Sequence, residues 1–421
     1  MEQRMRMDER DREGGAAGEP ERPTVAMLVR EFLRISLVGF GGPNAHLALM
    51  LDAVVERRRW LDREHFLHLV AMTHLLPGPN SSEVAIHVGY TQRGWRGAVA
   101  TGAAFLGPTF VLMLILSYLY FRFGMLPGVQ PVFWALKPVI VAVIAAAGWR
   151  LGRSAVSDGA LLLLAVVGAA VALGPGRWQL GVMVVGAAAG WRLYGRVPGD
   201  AAGGGGASSG GSAASGAEGS SGGGGSSEGR TTLAFAPGLA LALVASGGSL
   251  GQLFLIMLGI GATLFGGGYV LVALLQPFAV ERYGWLTTAQ FLDGVALSQA
   301  VPGPISTLAA FVGFAAGGVP GATLATLGIY LPAFAAVMIV APQLERWRHQ
   351  PAVRGALRGV NAVVAGAVVG TAVAIAPAAL PDAVAVLLLA LAAVALVRGV
   401  SPPWLILGGL IAGIARLVVG G

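Results

Sequence analysis

One short motif occurs twice in this chain. Leu76–Asn80 reads LPGPN and Val301–Ile305 reads VPGPI, with Pro77 and Pro302 lying 225 residues apart. The same offset carries Phe40-Gly41-Gly42 onto Phe265-Gly266-Gly267, Trp60-Leu61 onto Trp285-Leu286, and Phe66-Leu67 onto Phe291-Leu292, without a gap. Past the motif the register slips by one residue: Gly97-Ala98 maps onto Gly321-Ala322, and Pro108 onto Pro332. The chain therefore contains a duplicated unit. The duplicated part is rich in glycine and proline, which interrupt helices, and it sits in apolar sequence. Paired helix breaks in the two halves of a membrane chain point to a transport site built between repeats.

Composition sets the solvent of that unit. Hydrophobic residues make up 55% of the chain and charged residues 12%, against about a quarter charged in soluble domains. Mean hydropathy is +0.72. The apolar runs reach the roughly 17–25 residues of a spanning helix, and they are continuous, unlike the alternation of a β-barrel strand. The fold class expected is an all-α polytopic membrane protein of two inverted-topology repeats, with broken or re-entrant helices and about 12–13 membrane segments.

A Gly/Ser-rich tract divides the chain. Residues 1–22 read as a disordered cytoplasmic tail, 23–197 as the N-terminal repeat and 198–231 as a flexible linker. Residues 232–247 read as a bridging membrane segment centred on Leu233–Val244, and 248–421 as the C-terminal repeat. Each repeat reads as two broken segments and then four simpler spans. In the first repeat the breaks fall at Gly41-Gly42-Pro43 and at Pro77-Gly78-Pro79.

Arginine placement orients the halves. Arg57, Arg58, Arg59, Arg63, Arg93 and Arg96 flank the broken segments of the first half, whose loop after the first simple span holds only Arg122. In the second half the bias is reversed: Arg346, Arg348, Arg354 and Arg358 occupy the equivalent of that poor loop, and Gly317–Gly321 is uncharged. Positive loops stay cytoplasmic, so the halves should lie in opposite orientation, with a cytoplasmic N-terminus. Both flanks of the first PGP segment then look cytoplasmic. That segment either turns back at the PGP or crosses with a kink, since re-entry is tolerated where protein surrounds it. The scattered arginines do not form a nucleic-acid surface, and the expected setting is the cell membrane, in contact with lipid.

Proline on either side of a glycine stops one helix and starts another. The new helix begins with free N–H groups and the positive end of its dipole, an oxyanion-binding arrangement. The substrate-binding candidates are Pro77, Gly78, Pro79, Asn80, Ser81 and Ser82 in the first copy, and Gln299, Pro302, Gly303, Pro304, Ser306 and Thr307 in the second. Gly41, Gly42 and Asn44, with Gly266 and Gly267, form the other pair of breaks, where glycine allows close backbone approach to a ligand or to another helix. Ionisable groups inside a membrane are functional hypotheses by default. His74, Glu83 and His87 are the proton-coupling candidates, with a watery vestibule as the plainer reading of Glu83. The second half has Leu308 and Val312 in place of Glu83 and His87, so a proton path would be asymmetric.

Glu83 and His87 lack a third adjacent ligand and the chain has no cysteine, so no metal is expected. No Walker A motif is present. No cofactor and no enzymatic activity are expected.

At FGGP (Phe40–Pro43), RRRWL (Arg57–Leu61), LPGP (Leu76–Pro79), FGGG (Phe265–Gly268) and QAVPGP (Gln299–Pro304) the chain resembles the long, two-domain form of the chromate transporter family. The resemblance covers both halves apart from tail and linker. It implies export of chromate, a tetrahedral dianion related to sulfate, driven by membrane potential or a proton gradient, with halves of opposite topology. Where the family usually has glutamine, this chain has His74 and Glu83. A carboxylate beside an anion site opposes dianion binding unless it is protonated, so Glu83 either strengthens proton coupling or marks a different substrate. A sulfate-type importer and a passive anion channel are the alternatives. Oligomeric state, a homo-oligomer included, is left open.

Overall fold

A computed structural model describes residues 22–40, 42–73, 76–124, 129–174, 178–195, 250–341, 343 and 350–420. The linker, the bridging segment, Gly41 and His74 lie outside the described residues. The described chain is helical, with seven helices in each half. The first half has α1 (Val25–Val38), α2 (Pro43–Leu51), α3 (Arg63–Thr73), α4 (Asn80–Phe123), α5 (Gln130–Ala155), α6 (Gly159–Leu173) and α7 (Gln179–Tyr194). The second has α8 (Leu250–Ala262), α9 (Val270–Gln276), α10 (Thr288–Ala300), α11 (Leu308–Ala335), α12 (Pro351–Ala379), α13 (Ala383–Val397) and α14 (Pro402–Gly420). Four stretches are long and apolar enough to cross a membrane: Asn80–Phe123, Gln130–Ala155, Ile305–Val340 and Pro351–Ala379. Helices α6 and α13 are apolar all round, and Leu163, Val166, Leu387 and Leu391 are more than half exposed on them. Such faces suit lipid.

The duplication extends to irregular features. Helix α2 continues as a π-helical turn at Asp52–Arg57, and α9 does so at Pro277–Arg282, 225 residues later. Helix α4 reverses at Arg93-Gly94, where Gly94 has φ 59° and ψ −150°. Helix α11 reverses at Gly317-Gly318, where Gly318 has φ 62° and ψ −149°. Both are positive-φ conformations that glycine adopts without strain. The arms then pack back to back. A Cβ on Gly97 would run into the Gly89 carbonyl, and one on Gly321 into that of Gly313. The register slip also has a physical account. The second copy opens its helix with a 3₁₀ turn, Ile305–Thr307. A 3₁₀ turn rises about 2.0 Å per residue against 1.5 Å, so three residues regain roughly the length of the missing one.

The first PGP segment turns back. The Gln92 side chain donates to the Trp60 carbonyl at 3.0 Å, joining the end of the outgoing arm to the start of α3. Run in line, α3 and that arm would part these residues by on the order of 35 Å. The second copy folds likewise, with Gly294 of α10 against the Phe311 ring of α11. Helices α1 and α2 form a similar hairpin, held by Arg57 and Arg58 on the buried Glu31 at 3.2 Å each.

The halves are inverted relative to each other. The early part of the second arm of α4 (Ala98, Gly102) packs on Phe334, Val337 and Ala341, late in the second half's arm. Its late part packs the other way: Phe121 stacks on Phe311 and Phe314, before the α11 reversal. The two long arms therefore run antiparallel. Arg57, Arg58, Trp60, Gln92 and Arg93 gather at one end of the molecule, where Arg93 also donates to the Pro23 carbonyl at 2.8 Å. Tyr120, Thr287, Pro381 and Arg416 meet at the other.

The remaining helices are exchanged between halves. Helices α6 and α7 pack on α12, and α13 and α14 on α5. Small residues set these crossings: Gly168 meets Val363, Gly186 meets Gly359, Gly190 meets Gly355, and Gly366 meets Ala165. Backbones approach this closely only where side chains are absent. In Gly366→Ala the new Cβ would lie 2.9 Å from the Ala165 Cα and closer still to its carbonyl oxygen. Overpacking of this kind costs about 1–3 kcal/mol. A lower thermal unfolding midpoint in detergent is expected, whereas Gly181→Ala, helical and in open space, should not lower it.

Candidate functional site at the crossing of the hairpin tips

Each half presents two hairpin tips to the other, and the four tips interlock. The Gly78 N–H donates to the Leu264 carbonyl at 2.8 Å, and the Gly303 N–H donates to the Gly39 carbonyl at 3.1 Å. Both donors and both acceptors are pairs 225 residues apart, so this is one contact made twice about a pseudo-two-fold axis. The positive φ angles that shape the tips fall on glycine: Gly42 (80°), Gly78 (151°), Gly266 (92°), Gly267 (106°) and Gly303 (122°). The neighbouring contacts are also reciprocal. A Cβ on Gly78 would meet Ala333 at 2.9 Å, and one on Gly303 would meet Thr109, the equivalent position, at 2.6 Å from its Cγ2. Thr109 donates to the Pro302 carbonyl at 3.0 Å and lies 3.2 Å from the Ser36 hydroxyl.

At this crossing lies a buried cluster of hydroxyls. Ser82 is fully buried, and Ser306 and Thr307 are 1% and 3% exposed. The buried Tyr330 hydroxyl shares a short hydrogen bond with Ser306 of the second PGP hairpin. It lies near Ser82 of the first, whose buried Oγ has no hydrogen-bond partner among the described residues. No side chain caps the start of α4 or of the 3₁₀ turn before α11. Hydroxyls and helix N-termini offer hydrogen bonds to an oxyanion without a fixed cation.

Glu83 is an ionisable group of this site. It is fully buried, and neither carboxyl oxygen has a hydrogen-bond partner among the described residues. Its side chain folds back over its own PGP turn, with Oε1 2.7 Å from where a Gly78 Cβ would stand. His46 is buried against Phe105, its Nε2 2.9 Å from the same Gly39 carbonyl that receives the Gly303 N–H.

A family model described as Chromate transporter matches residues 26–191 and 251–414. The chain belongs to the chromate transporter family. Among its relatives, a chromate transport protein of Cupriavidus metallidurans is 29% identical over 403 residues, 93% of each chain. A chromate transport protein of Pseudomonas aeruginosa is 31% identical over 340 residues, 80% of this chain and 77% of the relative. A probable chromate transport protein of Synechococcus elongatus is 27% identical over 338 residues, 80% of this chain and 81% of the relative. No solved structure matches the chain.

In this chromate transporter family member, both PGP turns, with Ser82, Ser306 and Thr307, lie at the tip crossing, and Ser81 is buried beside them. Asn80 opens α4, half-buried. Gln299 sits just before the second PGP, accepts from Tyr269 at 3.0 Å, and leaves its Nε2 buried without a partner among the described residues. The second pair of breaks is only partly drawn in: Gly42 and Gly267 are half-buried, while Asn44 and Gly266 are exposed, outside the hydroxyl cluster. His87 makes no hydrogen bond to Glu83, whose carboxyl oxygens have no partner among the described residues, and it lies near His65 and His68 of α3. Tyr330, Thr109 and Ser36 escaped the sequence reading. The local signal available was slight: Thr109 follows Pro108, and Tyr330 stands two residues before Pro332, its equivalent.

Proposed function

We propose that this chain is a secondary active transporter that exports chromate, with the tetrahedral dianion bound at the crossing of the two PGP hairpins. The observation that carries this reading is the reciprocal interlock of Gly78 and Gly303 beside the buried hydroxyls of Ser82, Ser306 and Tyr330. An inverted pair of helix N-termini at one buried point is the arrangement from which alternating access is built in other transporter folds. The relatives named as chromate transport proteins supply the substrate class. The positive-inside bias supports a cytoplasmic arginine-rich end and N-terminus, with the protein in the cell membrane.

Glu83 is the proposed proton carrier. An isolated buried carboxylate is costly to hold charged. A carboxyl folded over the anion-binding turn can link loss or gain of its proton to arrival of the dianion. Such a link supports proton-driven export, with His74 and His87 as further candidates on the path.

Everted membrane vesicles test the reading. Energised vesicles with an acid lumen should accumulate chromate above empty-vector vesicles, and a protonophore should abolish the difference. No accumulation at any pH would overturn chromate export. Net sulfate movement in the opposite sense would indicate an oxyanion importer. Unsaturable flux indifferent to the gradient would indicate a passive channel.

A further inference from the structure

At the arginine-poor end, away from the PGP crossing, a cavity of about 490 Å³ opens between the halves. That size is within the range of small-molecule sites. Its wall carries Lys137, the chain's only lysine, and Arg416. The N-terminus of α10 also borders it, through Thr287 and Gln290. Lys137 belongs to α5 of the first half and is 18% exposed; its Nζ lies 3.4 Å from Asp293 Oδ1 on α10 of the second half. Tyr120 donates to the other oxygen of Asp293 at 2.8 Å. Arg416 stacks on Trp134, 3.6 Å from the ring centroid, and pairs with Asp382.

Two features make this more than a structural ion pair. The contact is long, since charge-assisted N–H···O bonds run about 2.7–2.9 Å. Lys137 is thus held near Asp293 without being locked to it. The ion pair is also not duplicated: Ala135-Leu136-Lys137 aligns with Ala356-Leu357-Arg358, so the second copy keeps a cation there, but the position equivalent to Asp293 is His68. A feature needed for the repeat fold would be expected in both copies. This one appears only at the end that the arginine loops leave poor in positive charge.

We propose that this cavity is a second oxyanion site, in which Lys137 exchanges Asp293 for a tetrahedral dianion on its way to or from the central crossing. The ligand class rests on the transporter reading above. Arg416 and the positive end of α10 draw the dianion in, and Asp293 returns to Lys137 when it leaves. The site thereby couples occupancy to the contact between the two halves.

The single lysine makes the test direct. Purified full-length protein is treated with a water-soluble amine-reactive ester, and the Lys137 adduct is followed by peptide mapping, separately from the N-terminal amine. Sulfate at about four times its dissociation constant should slow Lys137 labelling about fivefold, as simple occupancy requires. Sodium chloride of equal ionic strength should not, because screening is common to both salts. In Asp293→Asn, where the competing carboxylate is removed, half-protection should need several-fold less sulfate. In Ser82→Ala/Ser306→Ala, which weakens the central site, protection should persist. Equal protection by chloride, an unchanged or raised sulfate requirement in Asp293→Asn, or protection lost in the serine double variant would each overturn the proposal. The assay needs no transport, so a wild-type protein that fails to move chromate would sink the transporter reading and leave this one measurable.

Discussion

Glu83→Gln should leave chromate accumulation measurable and flatten its dependence on pH. A step with one obligatory proton changes by up to about tenfold per pH unit. Wild-type initial rates should approach that slope on one limb of the profile, and the variant should vary by less than about twofold over the same unit. The substitution keeps the shape of the side chain, which is fully buried and has no hydrogen-bond partner among the described residues. Glutamine can fill the same space over Gly78, and it is the residue that the family resemblance places here. The quantity to measure is the ratio of initial rates across the profile, with protein amount quantified. A variant whose profile overlays that of the wild type would remove Glu83 from the proton path. Glu83→Ala is the poorer experiment, because it opens a cavity in the packed tip.

Gly303→Ala should abolish transport, to below a tenth of wild type, while the protein still inserts. Two costs coincide at this residue. Its φ of 122° is strained for a residue with a side chain, costing about 1–3 kcal/mol. The new Cβ would press on Thr109, 2.6 Å from Cγ2, costing about 1–3 kcal/mol more as overpacking. Relief requires the second PGP tip to withdraw from the first half, which breaks the Gly303 N–H bond to Gly39. Gly284→Ala is the control: its φ of 57° is also positive, but nothing stands within 4 Å of a new Cβ. It should carry backbone strain alone and retain flux. Adding Thr109→Gly to Gly303→Ala should restore part of the activity by clearing the clash. If Gly303→Ala transports normally, the tight approach of the tips is not needed for function.

Much of the architecture was legible because it is written in local chemistry. Proline and glycine announce their breaks wherever they stand, so the breaks at 41–43, 77–79, 266–268 and 302–304 could be placed from the residues alone. The inversion was legible from the arginines, and the structure bears it out through the antiparallel long arms. The choice between re-entry and a kinked crossing was not legible. It rests on one contact, Gln92 to Trp60, between residues 32 apart with no pattern linking them.

The candidate site divides in the same way. The PGP turns and their serines could be picked out as candidates because the motif repeats. Tyr330, Thr109 and the Lys137–Asp293–Tyr120 group were not, because each depends on contact between chain segments far apart in sequence: Thr109 to Pro302, Tyr120 to Asp293. A hydroxyl in an apolar span carries little information until its neighbour is known. Conversely, Asn44 and Gly266 looked like site residues by their place beside a break, and the fold leaves both exposed.

By itself the sequence determined that the chain is a duplicated membrane unit, where its helices break and that its halves are inverted. These follow from backbone stereochemistry, hydropathy and charge, all of which act residue by residue. Only the tertiary structure decided that the breaks meet. Gly78 reaches Leu264 and Gly303 reaches Gly39 because the halves pack about a pseudo-two-fold axis. The position of that axis is set by the summed packing of α4, α5, α11 and α12, which no single stretch of sequence specifies.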